Sequence, residues 1–516
     1  MNEEKKKEKA SAAQVAIMLG RAGAELFCSH DNEPWATFTV NGVSTTCLVN
    51  TRRFERWLQN EYFNGLGKTV GGNAVKEAIS VLEQQALNSE RKRVYKRVAR
   101  IGDKIFIDLA NDFNECIEVT AAGWSVVQAP CKFRRTNNTG DLPYPVAGSV
   151  DLLQDMLSTT EDNWALIKGW LLDVFKGHGP YLVLCVSGEP GSSKSYTCRK
   201  LKLLADPVKK ANLTTLPRDE ADFALNSENE HIIAYDNISS INHTQSDAIC
   251  RISTGAGFKK RTLYANSEQT IYDVSQPQIL NGIPDLAEAS DLASRAVAVI
   301  QPVISMEQRK TEKELDDKFA SIRGQVLGGI CDLLSQGLKN FDSVSIQYPR
   351  QADSIKWITA CTGDGLFSDL FAENQEEAVE ISMEASPVAN ALIDLLDTPV
   401  VTGAIGGRIK RVGYWRGETN ELRDDLIKML TSNGNFIPDK FPANARALAN
   451  RLRRDAAALR SVGINGLAKD ELRRSNGRKY LVITTAEYRA AHPVSQKGLD
   501  ASPDEEIVSG QAQAGL

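Results

Sequence analysis

Apolar and polar positions change period several times along the first 150 residues. PWATFTVNGVSTTCLV, 34–49, alternates around Asn41-Gly42 and predicts a β-hairpin. RRFERWLQNEYF, 52–63, and AVKEAISVLEQQAL, 74–87, space their apolar residues three and four apart, the mark of helices. RVYKRVARIGDKIFIDLA and CIEVTAAGWSVVQ return to short alternating runs and read as strands. RRTNNTGDLPYPVAGS, 134–149, is rich in Asn, Gly and Pro and marks a boundary.

From about 150 the pattern alternates between strand and helix. DNWALIKGWLLDVFK, 162–176, is apolar on one face and predicts a helix. Apolar strands follow within 181–186, 231–241, 277–285 and 291–302, with helix-compatible stretches between them. That alternation predicts an α/β sheet reaching to about 305. Helical stretches are expected over 306–340 and 351–373, with the acidic 373–384 as a connector.

The region from 386 reads as helical and then helix–turn–helix-like. NELRDDLIKML and ANARALANRLRRDAAALRSVG are two helices, and RRSNGRKYLVIT is a strand pair turning at Asn476-Gly477. Helices followed by a basic hairpin are similar to a winged helix. The expected organisation is a disordered lead-in (1–12), an N-terminal α+β domain (13–150), an α/β core (151–305), a helical extension (306–385), a winged-helix-like domain (386–490) and a disordered tail (491–516).

Composition sets limits on this picture. The 516 residues carry a formal net charge of -5, so no global basic character points to nucleic acid. Residues 441–480 nevertheless hold ten Lys/Arg against three Asp/Glu, a local basic patch containing Arg451, Arg453, Arg454, Arg478 and Lys479. No apolar run of 18 residues predicts a membrane span, and no signal-peptide core follows MNEEKKKEKA. Nine scattered cysteines without a CxxC pair argue against a disulfide framework or zinc ribbon, and fit a reduced, cytoplasmic setting. The five histidines show no metal-ligand spacing.

The densest chemistry lies in YLVLCVSGEPGSSKSYTCRKL, 181–201. An apolar strand runs into Gly188-Glu189-Pro190-Gly191-Ser192-Ser193-Lys194-Ser195, followed by Tyr196 and a basic helical segment. This is the layout of a phosphate-binding P-loop. Gly188 and Gly191 let backbone N–H groups converge on phosphate oxygens. Lys194 would reach the β/γ-phosphates of ATP, and Ser195 would place its hydroxyl on Mg²⁺. Ser193 stands where a second glycine is usual.

Three further strand ends carry polar groups. HIIAYDNISSI ends an apolar strand in Asp236-Asn237, where a carboxylate would hold Mg²⁺ directly or through water. PQILNGIPD ends another in Asn281, a group suited to orienting the attacking water or sensing the γ-phosphate. In DLASRAVAVIQP, Arg295 precedes an apolar strand, and a cation at a subunit edge stabilises charge on a neighbour's transferring phosphoryl.

The order of these pieces resembles the superfamily 3 helicases, AAA+ ATPases of viruses, phages and plasmids, and most closely their poxvirus-type primase-helicase branch. In that family a segment of the form TGG…(K/R)…LY lies between the acidic strand and the Asn strand. Here CRISTGAGFKKRTLY, Cys250–Tyr264, occupies that place. The resemblance implies an AAA+ P-loop core, a ring, hexameric by that same resemblance, and a basic hairpin in its channel. On that basis Lys259, Lys260 and Arg261 would touch the backbone of single-stranded or forked DNA. The resemblance covers about 150–305. The basic C-terminus is similar to parts of mobile-element replication proteins, and replication partner proteins would follow.

Three departures from the family bear on mechanism. Ser193 replaces Gly, and only Arg295 precedes the last core strand where paired arginines are common. Asn237 follows Asp236 where a second acidic residue is usual, so either Asp236 serves both roles or another carboxylate such as Glu189 is recruited. The expected activity is an ATP- and Mg²⁺-dependent DNA helicase or translocase of a mobile element or phage. The alternatives are an ATP-switched DNA-binding initiator without unwinding, and a non-motor P-loop phosphotransferase. A primase site would need clustered carboxylates, and residues 13–150 show none at obvious spacing.

Overall fold

A computed structural model describes residues 10–157, 159–255, 258–261, 269–272, 275–282, 290–346, 351–384, 386–397, 409–432, 437–438, 441–467, 473–475 and 478–491. The chain divides into two compact units, Met1–Ala287 with Ser294–Asn374, and Glu288–Ala293 with Gln375–Leu516.

The first unit opens with a helix, Ala12–Gly23, where a disordered lead-in was expected to extend to residue 12. Ser11 caps it, accepting from the Gln14 amide while Gln14 reaches back to the Ser11 N–H. That helix, with Arg52–Leu66 and Gly72–Leu87, packs on a sheet ordered Val43–Leu48, Pro34–Val40, Ala24–Ser29, Arg91–Lys92. Asn41 and Gly42 take positive φ (51° and 82°), and Val40 pairs with Val43, so the expected two-residue turn forms. Phe38 and Trp57 stack at 4.6 Å in the small core beneath.

Next comes an antiparallel meander of Val98–Ile101, Lys104–Asp108, Glu115–Thr120 and Gly123–Gln128. Its buried residues Ile105, Ile107, Ile117 and Val119 belong to the same apolar core as Trp170, Leu184, Val297 and Ile330. The 134–149 segment also lies inside this unit, where Gly148 sits so close to Gln325 that an added Cβ would come within 2.5 Å of its side chain. Residues on both sides of that loop therefore share one core.

The central sheet is four-stranded and parallel, ordered Ile233–Ile238, Gln278–Gly282, Val183–Ser187, Ala296–Ile300. Its strands are nearly continuous apolar runs because both faces are covered. The covering helices include Glu161–Val174, Lys194–Ala205 and Glu312–Asn340. The last is started by a Thr311/Glu314 capping box.

Arg97, fully buried, ties the meander to the central sheet. Its Nε meets Asp206 Oδ1 at 3.0 Å, and its Nη atoms donate to the carbonyls of Asp108, Gly140 and Pro207. Asp206 Oδ2 also pairs with Lys202 Nζ at 2.9 Å and accepts from the His231 and Ile232 amides. Two cations and two amide donors hold the Asp206 carboxyl well below the usual carboxylate range, overcoming the opposing effect of its burial.

In the second unit, helices Pro387–Asp397, Thr419–Ser432 and Ala445–Ser461 pack with the sheet Ile409–Arg411, Tyr414–Gly417, Arg478–Thr484, Arg473–Ser475. Trp415, Leu426, Leu452 and Ile483 fill the core. Ser475 pairs with Arg478, leaving two residues for the expected Asn476-Gly477 turn, which itself lies outside the described residues. The strands at 409–417 were not legible as strands. The acidic stretch 373–384 is helical, the helix Leu366–Glu384 running through it, and the division between the two units falls within it at Asn374/Gln375. The lead-in 1–9 and the tail from 492 lie outside the described residues.

Candidate functional site

The Val183–Ser187 strand ends in a loop whose backbone is forced into left-handed conformations. Gly188, Gly191 and Ser193 have φ of 142°, 89° and 59°. A Cβ on Gly188 would lie 2.6 Å from Gln301 O and 2.9 Å from Ser192 Oγ, so only glycine fits. Residues turning this way point backbone N–H groups into one concavity, at the N-terminus of the Lys194–Ala205 helix. Ser193 occupies its left-handed position without a glycine's freedom. Glu189 and Pro190 are exposed at the loop tip.

Lys194 curls back over the loop. Its Nζ donates to the carbonyls of Gly188 at 2.7 Å and Glu189 at 2.9 Å. Ser195 Oγ donates to Asp236 Oδ1 at 3.0 Å, and Asn281 Nδ2 donates both to Ser195 Oγ, at 2.9 Å, and to the Asp236 carboxylate. These residues come from three elements, yet the parallel register delivers them to one place. Val186 stands beside Asn281, and the strand bearing Asp236 flanks the Asn281 strand on its other side. A crevice at the carboxyl ends of parallel strands is where such sheets bind ligands.

Asn237 bends the chain here with φ of 56°, and its N–H closes on Asp236 Oδ1 at 2.9 Å. That turn, together with Ser195 and Asn281, fixes the carboxylate from three sides. Ser192 Oγ, in the loop, and Asn281 Oδ1, in the cluster, are buried without a hydrogen-bond partner among the described residues. Buried polar atoms of this kind are normally satisfied, so they fit a ligand. Hydroxyl and carboxylate oxygens together suit a hard divalent cation such as Mg²⁺.

Tyr196 does not face the loop mouth. Its ring carries Lys200 Nζ 4.8 Å from the centroid and joins the apolar core, so what it offers a phosphate is its backbone N–H. Arg295 is half-buried beside its own strand, with Nη1 3.5 Å from Ser294 Oγ and 4.0 Å from Cys250 Sγ. It is not brought to the Ser195–Asp236–Asn281 cluster.

Lys259, Lys260 and Arg261 lie on the strand Phe258–Arg261, which pairs antiparallel with Gln269–Tyr272. The expected hairpin is therefore present, with its tip outside the described residues. On the Ala445–Ser461 helix, Arg451 is engaged by Asp455 at 2.8 Å, while Arg453 is exposed and donates to Asn450. Arg478 and Lys479 stand on the final strand of that unit's sheet, and Arg454 on the same helix as Arg451.

Sequence reasoning missed one part of the site. A cavity of about 310 Å³ opens beside Gly191 and Ser193, walled by Met156, Ile304 and Leu315 and edged by Arg309, Lys310 and Lys318. A Cβ on Gly191 would stand 3.5 Å from an Arg309 Nη. Arg309 follows the last strand in an irregular stretch, so no spacing signal marks it.

A family model described as "Actinomycete integrative conjugative element replication protein" matches residues 150–353. A second, the "AICE RepA C-terminal domain", matches 388–497, and the two together span more than half of the 516 residues. The chain belongs to the mobile-element replication proteins. For this replication protein the first match begins where the central α/β region begins, and the second spans the three helices and sheet of the second unit. Two solved structures are similar over 93% of this chain and 100% of theirs, both of the NrS-1 C terminal region. They are "The A form apo structure of NrS-1 C terminal region-CTR" at 10% identity and a TM-score of 0.41, and an apo structure at 12% and 0.39. At these scores the likeness carries no functional argument. No curated protein matches the chain.

Proposed function

We propose that this replication protein is an ATP- and Mg²⁺-dependent AAA+ motor that assembles as a ring, of hexameric size by family resemblance, and moves a DNA strand during element replication. The observation that carries the reading is the meeting of Ser195, Asp236 and Asn281 at the strand ends beside a left-handed phosphate loop.

Gly188–Ser195 would cradle the phosphates through backbone N–H groups, with Lys194 released from the Gly188 and Glu189 carbonyls to neutralise them. Ser195 and Asp236 would hold Mg²⁺, which when bound offsets charge on the β- and γ-phosphates. Asn281 would then give up Asp236 and orient the attacking water or sense the γ-phosphate. Arg295, on leaving the Ser294 and Cys250 side, would complete a neighbouring subunit's site. Lys259, Lys260 and Arg261 would grip the single strand, and the basic patch at 441–480 would recruit DNA.

The test is ATP hydrolysis by the full chain with and without single-stranded DNA, beside a Lys194→Ala variant. DNA-stimulated turnover that disappears in the variant is expected. Equal turnover in the two proteins would overturn the site.

Asn237 favours a second reading, an ATP-switched initiator that binds DNA without unwinding it. With an amide where a second carboxylate is usual, Asp236 is left to act as both metal ligand and base in the hydrogen-bonded cluster. Nucleotide-dependent assembly on DNA with turnover near zero would select it.

A further inference from the structure

The chain on either side of the Lys259–Arg261 hairpin borders a cleft that the nucleotide site does not use. The cleft measures about 630 Å³ and reaches from Gly255, which ends the helix before the hairpin, and Gln276, which precedes the strand after it, to Trp35, Tyr95, Lys96 and Arg134 of the N-terminal module. Tyr181 and Gln276 also line it, and they precede their strands, whereas Ser187 and Asn281 lie toward the strand ends. The cleft is therefore at the amino-terminal ends of the central strands, opposite the phosphate loop and roughly 16 Å away for a five-residue strand. A second cavity of about 480 Å³ lies behind it and shares Lys96, Arg134 and His231 as a common wall.

Lys96 is the notable group in that wall. Its ammonium donates to the Ser227 carbonyl, while Asp31, Asp206 and Glu228 act on it only through space. Desolvation, and secondly the Arg134 charge, push its pKa down to about 8. Arg134 itself pairs with Glu33 at 3.2 Å and lies over the Trp35 ring at 5.6 Å, and Arg93 lies over Tyr95 at 5.3 Å. Asp31, Glu33 and Glu228 line the cleft as well, Glu33 being taken up by Arg134, and Trp35 is buried, so the wall offers Lys96 as its cation and the half-buried Tyr95 as its aromatic face. Anionic backbone plus stacking bases is the chemistry that matches both.

We infer that this cleft is a second single-stranded DNA site, with Lys96 on a backbone phosphate and Tyr95 beside a base, receiving the strand that the basic hairpin grips. The inference rests on the DNA-motor reading above, and nothing in the family matches assigns a ligand to it. The N-terminal module would then hold the strand as it enters or leaves the hairpin.

The experiment is fluorescence anisotropy of labelled oligo-dT with the full chain over a salt series. Wild type is compared with Lys96→Met, Lys96→Arg, Tyr95→Ala and a Lys259→Ala/Lys260→Ala double variant. Methionine removes a desolvated charge at nearly constant shape, so the variant folds, and a thermal melt checks it. Lys96→Met is expected to bind DNA more weakly and to lower the slope of log affinity against log salt by about 0.7, one single-strand phosphate contact. Lys96→Arg keeps the slope, and Tyr95→Ala loses roughly ten-fold in affinity.

An unchanged slope in Lys96→Met, with a lowered one in the hairpin double variant, overturns the cleft and leaves the motor standing. Absence of DNA binding by the wild type removes both. Equal losses in Lys96→Met and Lys96→Arg mean that shape matters and charge does not, which also overturns the assignment. Full displacement of DNA by millimolar inorganic phosphate, with no dependence on oligonucleotide length, would make this a free-phosphate site instead.

Discussion

Asn281 Nδ2 lies 2.9 Å from Ser195 Oγ and bonds the Asp236 carboxylate as well, so one amide bridges the two groups suited to a metal. An amide donor in that position neutralises part of the carboxylate's demand while no cation is near. Binding a metal and nucleotide would have to displace it, which links occupancy of the site to movement at the end of the central strand.

Replacing Asn281 with Ala removes that bridge without adding charge. Nucleotide affinity is expected to stay within a few-fold, while hydrolysis falls by about 10²-fold, the usual loss for one positioning donor. Paired nucleotide-binding and turnover measurements check it, and equal losses in both would point to a binding role only.

Ser193→Gly should stabilise the loop. A non-glycine residue held at φ of 59° bears a local strain of about 1 kcal/mol that glycine does not, partly offset by glycine's greater freedom in the unfolded chain. A small rise in the melting temperature of the first unit, with nucleotide affinity kept or improved, is the outcome to look for in calorimetry.

Asp206→Ala leaves the fully buried Arg97 without its carboxylate and the fully buried Lys202 with Glu230 alone. Breaking such a pair costs about 3–5 kcal/mol. Urea denaturation should show a midpoint shift of that size in the first unit, and an exposed control such as Glu312→Ala should show almost none.

His231 sets an acid limit on stability. Burial pushes its pKa down to about 4 although Asp206 opposes this, and its Nε2 donates to the Val174 carbonyl at 2.9 Å as the neutral tautomer. A folded pKa below the unfolded value of 6.5 means that the neutral ring's contribution is complete above that pH. It is lost as the pH falls from 6.5 toward 4. His231→Gln, which keeps a donor for Val174, should flatten thermal stability across that window, and an unchanged slope would refute the assignment.

The meeting of the candidate-site residues was legible because each sits at a strand end or in a glycine loop, where local sequence dictates local geometry. Gly188, Ser195, Asp236 and Asn281 needed only a parallel sheet to meet. The hairpin at Asn41-Gly42 was legible for the same reason. Long-range pairings were not. Lys200 and Lys202 belong to a segment that reads as polar and basic, yet both are buried, paired with Asp316 in one case and with Asp206 and Glu230 in the other. Nothing in the sequence around either lysine singles out those pairings. Arg309 and Lys96 escaped similarly, since each gains its meaning from a cavity wall assembled from distant segments. The strands at 409–417 were missed because their short polar-flanked runs carry too few positions to display a period.

The short helix Ser290–Ala293 belongs with the C-terminal compact unit although it lies between Asn281 and Arg295 in the chain. Leu292 is buried there, the Ala445–Ser461 helix lies against it, and Gln375 Nε2 donates to the Ala293 carbonyl at 3.0 Å. A truncation at residue 374 would therefore not be a clean excision of the C-terminal unit. It would strip the cover from the residues immediately preceding Arg295, and loss of activity in such a fragment would report on damage to the segment leading into Arg295 as much as on the missing C-terminal unit. Point substitutions at Arg453 or Lys479 separate those two effects where domain deletion confounds them.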